Sequence, residues 1–235
     1  MSGQFVSAII PAGGTGSRMG GDIPKQFMDL AGKPVIRRTL DVFEKSPSIN
    51  EIIVVLSPSR KEFFREKILG NSGLKKISAL ADAGIERYHS VKNGLEHINK
   101  KASMILVHDA ARPFVTPEII EKAIAQCAEK GSVITAIPCQ DTIKRADKDC
   151  MVCSNISRSG LYAVQTPQVF RREIFEEAYS GEYSEDCTDD SYLVEKLGKK
   201  TYITEGSRLN FKLTAPEDFC IAEALIAGRG GKTDT

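Results

Sequence analysis

Residues 6–25 read Val6-Ser-Ala-Ile-Ile-Pro-Ala-Gly-Gly-Thr-Gly-Ser-Arg-Met-Gly-Gly-Asp-Ile-Pro-Lys25. Val6–Ile10 is mostly apolar and rich in β-branched residues, and glycines follow soon after. This predicts a buried strand running into a glycine-rich loop. Such glycines let the backbone approach a phosphate closely and turn its N–H groups toward it. Arg18 and Lys25 add positive charge to the same loop. No Gly-Lys-Ser/Thr follows at the spacing a Walker A loop requires. Gly14, Gly16 and Gly20 are spaced one residue too widely for the dinucleotide fingerprint, and Pro24 blocks the helix that should follow at once. Taken alone, the loop is either an anion site or a plain glycine-rich connection with solvated charges.

Working outward, strand-like and helix-like segments alternate. Val35–Phe43 has apolar residues at helical spacing. Ile52–Leu56 reads as a strand, and Pro58 opens a helix reaching about Leu69. Ile77–Leu80 is a short strand, and Arg87–Ile98 a helix with Val91, Leu95 and Ile98 on one face. Met104–Val107 reads as a strand, Pro117–Cys127 as a helix and Val133–Ile137 as a strand. Gln140–Arg158 breaks the rhythm: it is polar and turn-rich, and is predicted to be an extended hairpin projecting from the sheet. Helices near Arg172–Tyr179 and Asp189–Leu197, a strand at Thr201–Thr204 and a helix Pro216–Ala227 close the chain. Residues 228–235 are expected to form a disordered tail. This order predicts an α/β fold with a mostly parallel twisted sheet and helices on both faces, occupying residues 1–235 as one domain. Ligands bind such sheets beyond the carboxyl ends of the strands.

The chain has 235 residues, a formal net charge of +1, 41% hydrophobic and 27% charged residues. A nearly neutral balance gives no strong field for nucleic acid or membrane, so any anion site must be local. No apolar run approaches the roughly 18 residues of a membrane span, and the N-terminus lacks a signal-peptide pattern. Cytoplasmic localisation is therefore expected. The six cysteines are irregularly spaced; Cys150 and Cys153 form a lone C-x-x-C without the second pair a tetrahedral zinc site needs. Free thiols are expected.

Two further motifs follow predicted strands. In Val107-His-Asp-Ala-Ala-Arg-Pro113, Asp109 could hold a ribose hydroxyl or a metal-bound water, and the forked donors of Arg112 suit a phosphate. In Gly84-Ile-Glu-Arg-Tyr-His-Ser90, a glycine turn leads into a helix whose first turn carries Ser90, a place for a base or phosphate. Alone, the first is equally a strand-end salt bridge and the second a helix cap. A polar set remains: Asp141-Thr-Ile-Lys144, Ser157-Arg158, Gln165-Thr-Pro-Gln168, Thr188-Asp-Asp190 and Asn210-Phe-Lys-Leu-Thr214. Each alone reads as surface. Phe211 and Leu213 around Lys212 suggest a strand end that holds the ammonium in place.

In order along the chain, these motifs together resemble the 2-C-methyl-D-erythritol 4-phosphate cytidylyltransferase family, from Ile9 to Asp218. The resemblance implies a Rossmann-like three-layer nucleotidyltransferase fold and a Mg²⁺-assisted transfer from CTP to a sugar-alcohol phosphate. It implies that Pro11, Ala12, Gly13, Gly14 and Gly16 wrap the CTP phosphates. Gly84 and Ser90 would hold the cytosine, and Asp109 would lie near the ribose and the magnesium-bound triphosphate. Arg18, Lys25, Arg158 and Lys212 would be the catalytic cations. Asp109, Arg112, Thr142, Arg158, Thr166 and Lys212 would surround the acceptor. It also implies a homodimer that swaps an arm at residues 139–160, so that Thr142 and Arg158 serve the partner's site.

Two positions depart from the family pattern. Gly14 stands where many members have alanine, and Ala83-Gly84 replaces a commoner Gly-Gly pair. The Gly-Gly-Thr-Gly loop is also similar to that of the ribitol-5-phosphate cytidylyltransferases. Ala110-Ala111, Lys144 and Pro216-Glu-Asp218 favour the methylerythritol enzyme over that sister. Outside cytidylyl transfer, the competing expectations are a nicotinamide-dependent oxidoreductase, disfavoured by the loop spacing, and a non-catalytic nucleotide-binding module.

Overall fold

The computed structural model describes residues 4–14, 23–70, 72–181 and 187–230. Its elements, in chain order, are β1 (Val6–Pro11), β2 (Asp29–Leu30), β3 (Lys33–Pro34), α1 (Val35–Lys45), β4 (Glu51–Leu56), α2 (Lys61–Phe63), β5 (Ile77–Asp82), α3 (Arg87–Leu95), β6 (Met104–Val107), α4 (Pro117–Lys130), β7 (Ser132–Pro138), β8 (Ile143–Ala146), β9 (Val152–Ile156), β10 (Tyr162–Arg171), α5 (Arg172–Ser180), α6 (Asp190–Lys196), β11 (Tyr202–Glu205) and α7 (Pro216–Gly230).

Seven strands form the central sheet in the order β11-β7-β10-β6-β1-β4-β5. β1 pairs in parallel with β4 and β6, β4 with β5, and β7 with β11. Only β10 runs the other way, between β6 and β7. The two faces follow from the period of two along a strand. Ala8, Ile10, Ile52, Val54 and Leu106 bury against α1 and α4. Ile9, Ile53, Val55, Ile105 and Val107 bury against α3, α5 and α6. Helix α3 lies so close to the sheet that a Cβ at Gly94 would sit 2.7 Å from Ile9 and 3.0 Å from Val55. A smaller apolar cluster joins Leu30, Val35, Phe114, Leu213 and Phe219, tying α7 and the chain before it to the body.

After β1 the chain builds β4 and β5 on one side, then returns to place β6 on the other. The reversal lies between β1 and β6, where a doubly wound sheet opens a crevice beyond its strand ends. The loops after β1 and β6 both face it.

Several expectations need correction. β10 went unseen because Pro167 argues against a central strand and the stretch is polar. The ladder bulges between Val164 and Gln168 to admit it, with a cis Thr166–Pro167 peptide. The carbonyls freed there are taken up, Thr166 O by the Asn210 amide at 2.8 Å and Pro167 O by the Thr135 hydroxyl at 2.7 Å. The segment from Pro58 to Leu69 is helical throughout but changes type, a 3-10 turn (Pro58–Arg60), then α2, then a π turn (Phe64–Leu69). Lys212 is not at a strand end; residues 211–214 are irregular chain. α7 continues to Gly230, so residues 228–230 of the expected tail are helical; 231–235 lie outside the described residues. β8 and β9 pair only with each other, forming the projecting hairpin.

Candidate active site

Two adjoining cavities open at the carboxyl ends of β1 and β6. The first has a volume of about 420 Å³ and is lined by the glycine loop, the turn before α3, Lys25 and Asp109. The second, about 460 Å³, lies between the β10 bulge and the start of α6. Arg87, Asp109 and Lys212 line both.

The wall of the first cavity is built from its residues upward. Pro11 ends β1, Ala12, Gly13 and Gly14 follow it, and all four line the cavity. The side-chain amide of Gln26 donates to Ala12 O at 2.6 Å and Gly14 O at 2.8 Å. Those carbonyls are thereby satisfied by the Gln26 side chain. Gln26 follows Lys25 directly, and both lie on one 3-10 turn. A Cβ at Gly13 would collide with the Cβ of Ala83, whereas one at Gly14 would meet nothing within 4 Å. Gly13 is thus required by packing, whereas among the described residues nothing opposes a side chain at Gly14. Gly84 and Ser90 also line this cavity. The Ser90 hydroxyl accepts from Gly84 N at 3.1 Å and donates to Glu86 O at 3.2 Å, which ties the turn at the N-terminus of α3. Gly16 and Arg18 lie outside the described residues.

Asp109 is the electrostatic centre. It is 8% exposed. Lys212 Nζ lies 3.1 Å and Arg112 Nε 3.2 Å from its Oδ2, and Arg87 Nε lies 3.6 Å from its Oδ1. Burial alone would raise its carboxyl, but Lys212, then Arg87 and Arg112, outweigh burial and hold it well below the usual carboxylate range. Lys212 reaches the site because Leu213 is buried and its N–H donates to Ala111 O at 2.9 Å. Arg112 is held by Asn210 O at 2.9 Å.

Behind Asp109 the proton positions can be derived. The carbonyl of Arg112, 3.2 Å from His108 Nε2, can only accept, so Nε2 carries the hydrogen. Thr166 Oγ1 accepts from Asp109 N at 3.0 Å, leaving its own hydrogen for the bare His108 Nδ1, also at 3.0 Å. Burial pushes His108 down to about 4, keeping it neutral. The Thr166 hydroxyl therefore offers the second cavity only an acceptor lone pair.

His108 makes stability depend on pH with a definite sign. Its folded value lies below the unfolded 6.5, so the unfolded chain binds more protons between these values and stability falls as pH drops from 6.5 toward 4. The loss by pH 4.5 is expected to be about 2–3 kcal/mol. His108→Gln should flatten this slope in urea melts at pH 7 and pH 4.5. An unchanged slope would remove His108 as its source.

Thr188, in a motif given no role from sequence, lines the second cavity with Gln168 and Asp189. Thr142 and Arg158 line neither cavity; both are exposed on the hairpin segment, where the Arg158 guanidinium meets Gln140 O. Cys150 and Cys153 are exposed on the same hairpin, and all six cysteines are free. Among the described residues, no helix is long and apolar enough to cross a membrane.

Comparison with known proteins gives concordant matches. The family model described as "IspD: 2-C-methyl-D-erythritol 4-phosphate cytidylyltransferase" matches residues 6–228. The 2-C-methyl-D-erythritol 4-phosphate cytidylyltransferase of Alkaliphilus oremlandii is 40% identical over 225 residues, 95% of each chain. That of Alkaliphilus metalliredigens is 42% identical over 226 residues, 95% of this chain and 94% of the relative. Among solved structures, the 4-diphosphocytidyl-2C-methyl-D-erythritol synthase of Anaerococcus prevotii superposes with a TM-score of 0.83 at 29% identity, covering 95% of this chain and 96% of that one.

Proposed function

Because the chain belongs to the 2-C-methyl-D-erythritol 4-phosphate cytidylyltransferase family, we propose that its two cavities hold CTP and 2-C-methyl-D-erythritol 4-phosphate side by side. The reaction is cytidylyl transfer, giving 4-diphosphocytidyl-2-C-methyl-D-erythritol and pyrophosphate. A phosphate oxygen of the acceptor attacks the α-phosphorus of CTP, the new P–O bond forms, and the bond to the β-phosphate breaks. The attacking monoester is largely ionised near neutral pH, so no general base is required. Alignment and charge neutralisation carry the catalysis.

The observation that carries this reading is the junction: two cavities meet at a wall formed by Arg87, Asp109 and Lys212. Two anionic substrates bound on either side would bring their reacting phosphates together there. Lys25 and Arg18 would stabilise charge at the α-phosphate. Arg112 and Lys212 would take the acceptor phosphate, and Thr166 would accept from one of its hydroxyls, the only role its committed hydrogen leaves. Asp109 would lie near a Mg²⁺ carried by the triphosphate, an ion that would neutralise charge there. CTP is an intracellular nucleotide, which supports a cytoplasmic location.

The hairpin would act in trans within a homodimer, carrying Thr142 and Arg158 to the partner's acceptor cavity. Exposed Met151 and Val152 near its tip support a covered face. Arg158→Ala and Lys25→Ala should each be severely impaired alone yet regain turnover when mixed and re-equilibrated. Mixtures that stay impaired would exclude a site shared between chains.

The overall reading is tested by pyrophosphate release with CTP, ATP, GTP or UTP, each offered with methylerythritol phosphate or ribitol phosphate. Turnover is expected with CTP and methylerythritol phosphate. Turnover with ribitol phosphate alone would move the chain to the sister activity, and none with any pair would leave a nucleotide-binding module.

A further inference from the structure

Arg87 has no role in the scheme above, although it lines both cavities. It is the first residue of α3, and its guanidinium is anchored from behind. Nη1 donates to Asp190 Oδ1 at 2.9 Å and Nη2 to Asp190 Oδ2 at 2.6 Å. Asp190 is fully buried, and its Oδ1 also accepts from the Tyr179 hydroxyl at 2.6 Å. The remaining edge of the fork presents Nε to Asp109 Oδ1 at 3.6 Å. Lys212 and Arg112 both sit on the other oxygen, Oδ2. The Asp109 carboxylate is thus divided, with one oxygen facing a cation fixed by a buried carboxylate and the other shared by two cations.

We propose that Arg87 is a positioning residue that fixes the rotation of the Asp109 carboxylate, so that Lys212 and Arg112 share a single oxygen and remain open to the acceptor phosphate. A guanidinium held by two parallel hydrogen bonds to a buried carboxylate cannot follow Asp109 if it turns, which makes it a stop rather than a tether. Without the stop, the carboxylate gains by rotating until each of its oxygens meets its own cation. Lys212 and Arg112 are then more fully neutralised, and the acceptor phosphate must displace a closer anion. The nucleotide loop, held independently by Gln26, is untouched. The inference rests on the proposed assignment of the second cavity to the acceptor.

A simple tie between α3 and α6 would use the same Arg87–Asp190 pair, so the test must separate the two. Removing Arg87 alone strands a buried carboxylate and threatens the fold. The double variant Arg87→Met/Asp190→Asn removes both charges and keeps a partner for Tyr179. Thermal melting, equilibrium CTP binding without acceptor, and steady-state kinetics in the acceptor would be measured on the full chain. The melting midpoint should stay near that of the parent, while KM for methylerythritol phosphate rises about tenfold, as for one lost charge-assisted contact, and well beyond any loss of CTP affinity at the shared wall. Arg87→Lys keeps the charge without the fork and should show the same split. An acceptor KM near the parental value in a folded double variant overturns the proposal, as does an equal shift in CTP binding and acceptor KM. If the double variant does not fold, Arg87→Lys decides by the same criteria. An unmodified chain that releases no pyrophosphate from CTP and methylerythritol phosphate would overturn the functional reading, a result separate from parental turnover with an indifferent variant.

Discussion

Replacing Lys25 by alanine is expected to lower turnover at saturating CTP by about 10²–10³-fold, the usual loss when one preorganised charge is taken from a developing anion. The size follows from placement. Lys25 sits on a 3-10 turn whose next residue, Gln26, pins the glycine loop through Ala12 O and Gly14 O. The residue after that, Phe27, is buried in the core. Two neighbours thus fix the turn that carries Lys25 beside the loop that would wrap the triphosphate. A charge held in this way needs no reorganisation as the α-phosphate becomes five-coordinate. Steady-state kinetics in acceptor at saturating CTP, with melting as a control for folding, checks the expectation. Near-parental kcat in a folded Lys25→Ala protein would remove Lys25 from the reaction.

Asp109→Asn should be the most damaging single change to the fold. It leaves Lys212, Arg112 and Arg87 facing one another without their common counter-ion, although Arg87 keeps Asp190. Breaking a buried ionic set from one side costs about 3–5 kcal/mol. Denaturant unfolding at pH 7 would show a shift of this size. The pH dependence has a fixed sign. The folded value of Asp109 lies below the unfolded carboxylate value of about 3.9, so its contribution is complete above that value and lost as pH falls below it. The gap between parent and variant should therefore narrow in acid, at lower pH than the His108 window between 6.5 and about 4. A gap that is small at neutral pH would mean that water, not Asp109, neutralises these cations.

The parts legible in the sequence are those governed by short-range rules. Val6–Ile10 announced itself as a strand through its run of apolar side chains, and the glycines that follow marked a close backbone approach. Asp109 and Arg112 were found because they follow directly from the strand at Met104–Val107. The parts not legible depended on long-range compensation. β10 was hidden because a proline in a central strand is ordinarily prohibitive, and only the bulge, with Asn210 and Thr135 answering the freed carbonyls, makes it tolerable. Arg87 and Asp190 both stood within recognised motifs, but nothing local joins an arginine opening one helix to an aspartate opening another.

By itself, the sequence determined an alternating α/β architecture, a glycine-rich loop that fits neither common fingerprint, and, through its ordered motifs, the family. It did so because periodicity, glycine placement and strand-end chemistry act over a few residues. The tertiary structure decided which charges share a site: Lys212 and Asp109 meet although 103 positions apart, and Thr166 reaches the Asp109 backbone across 57. That convergence is set by the order of strands, with an antiparallel β10 inserted beside β6 and the irregular chain at Lys212 hydrogen-bonded to the loop after it. Sheet order depends on how the whole core packs, and no local pattern encodes it.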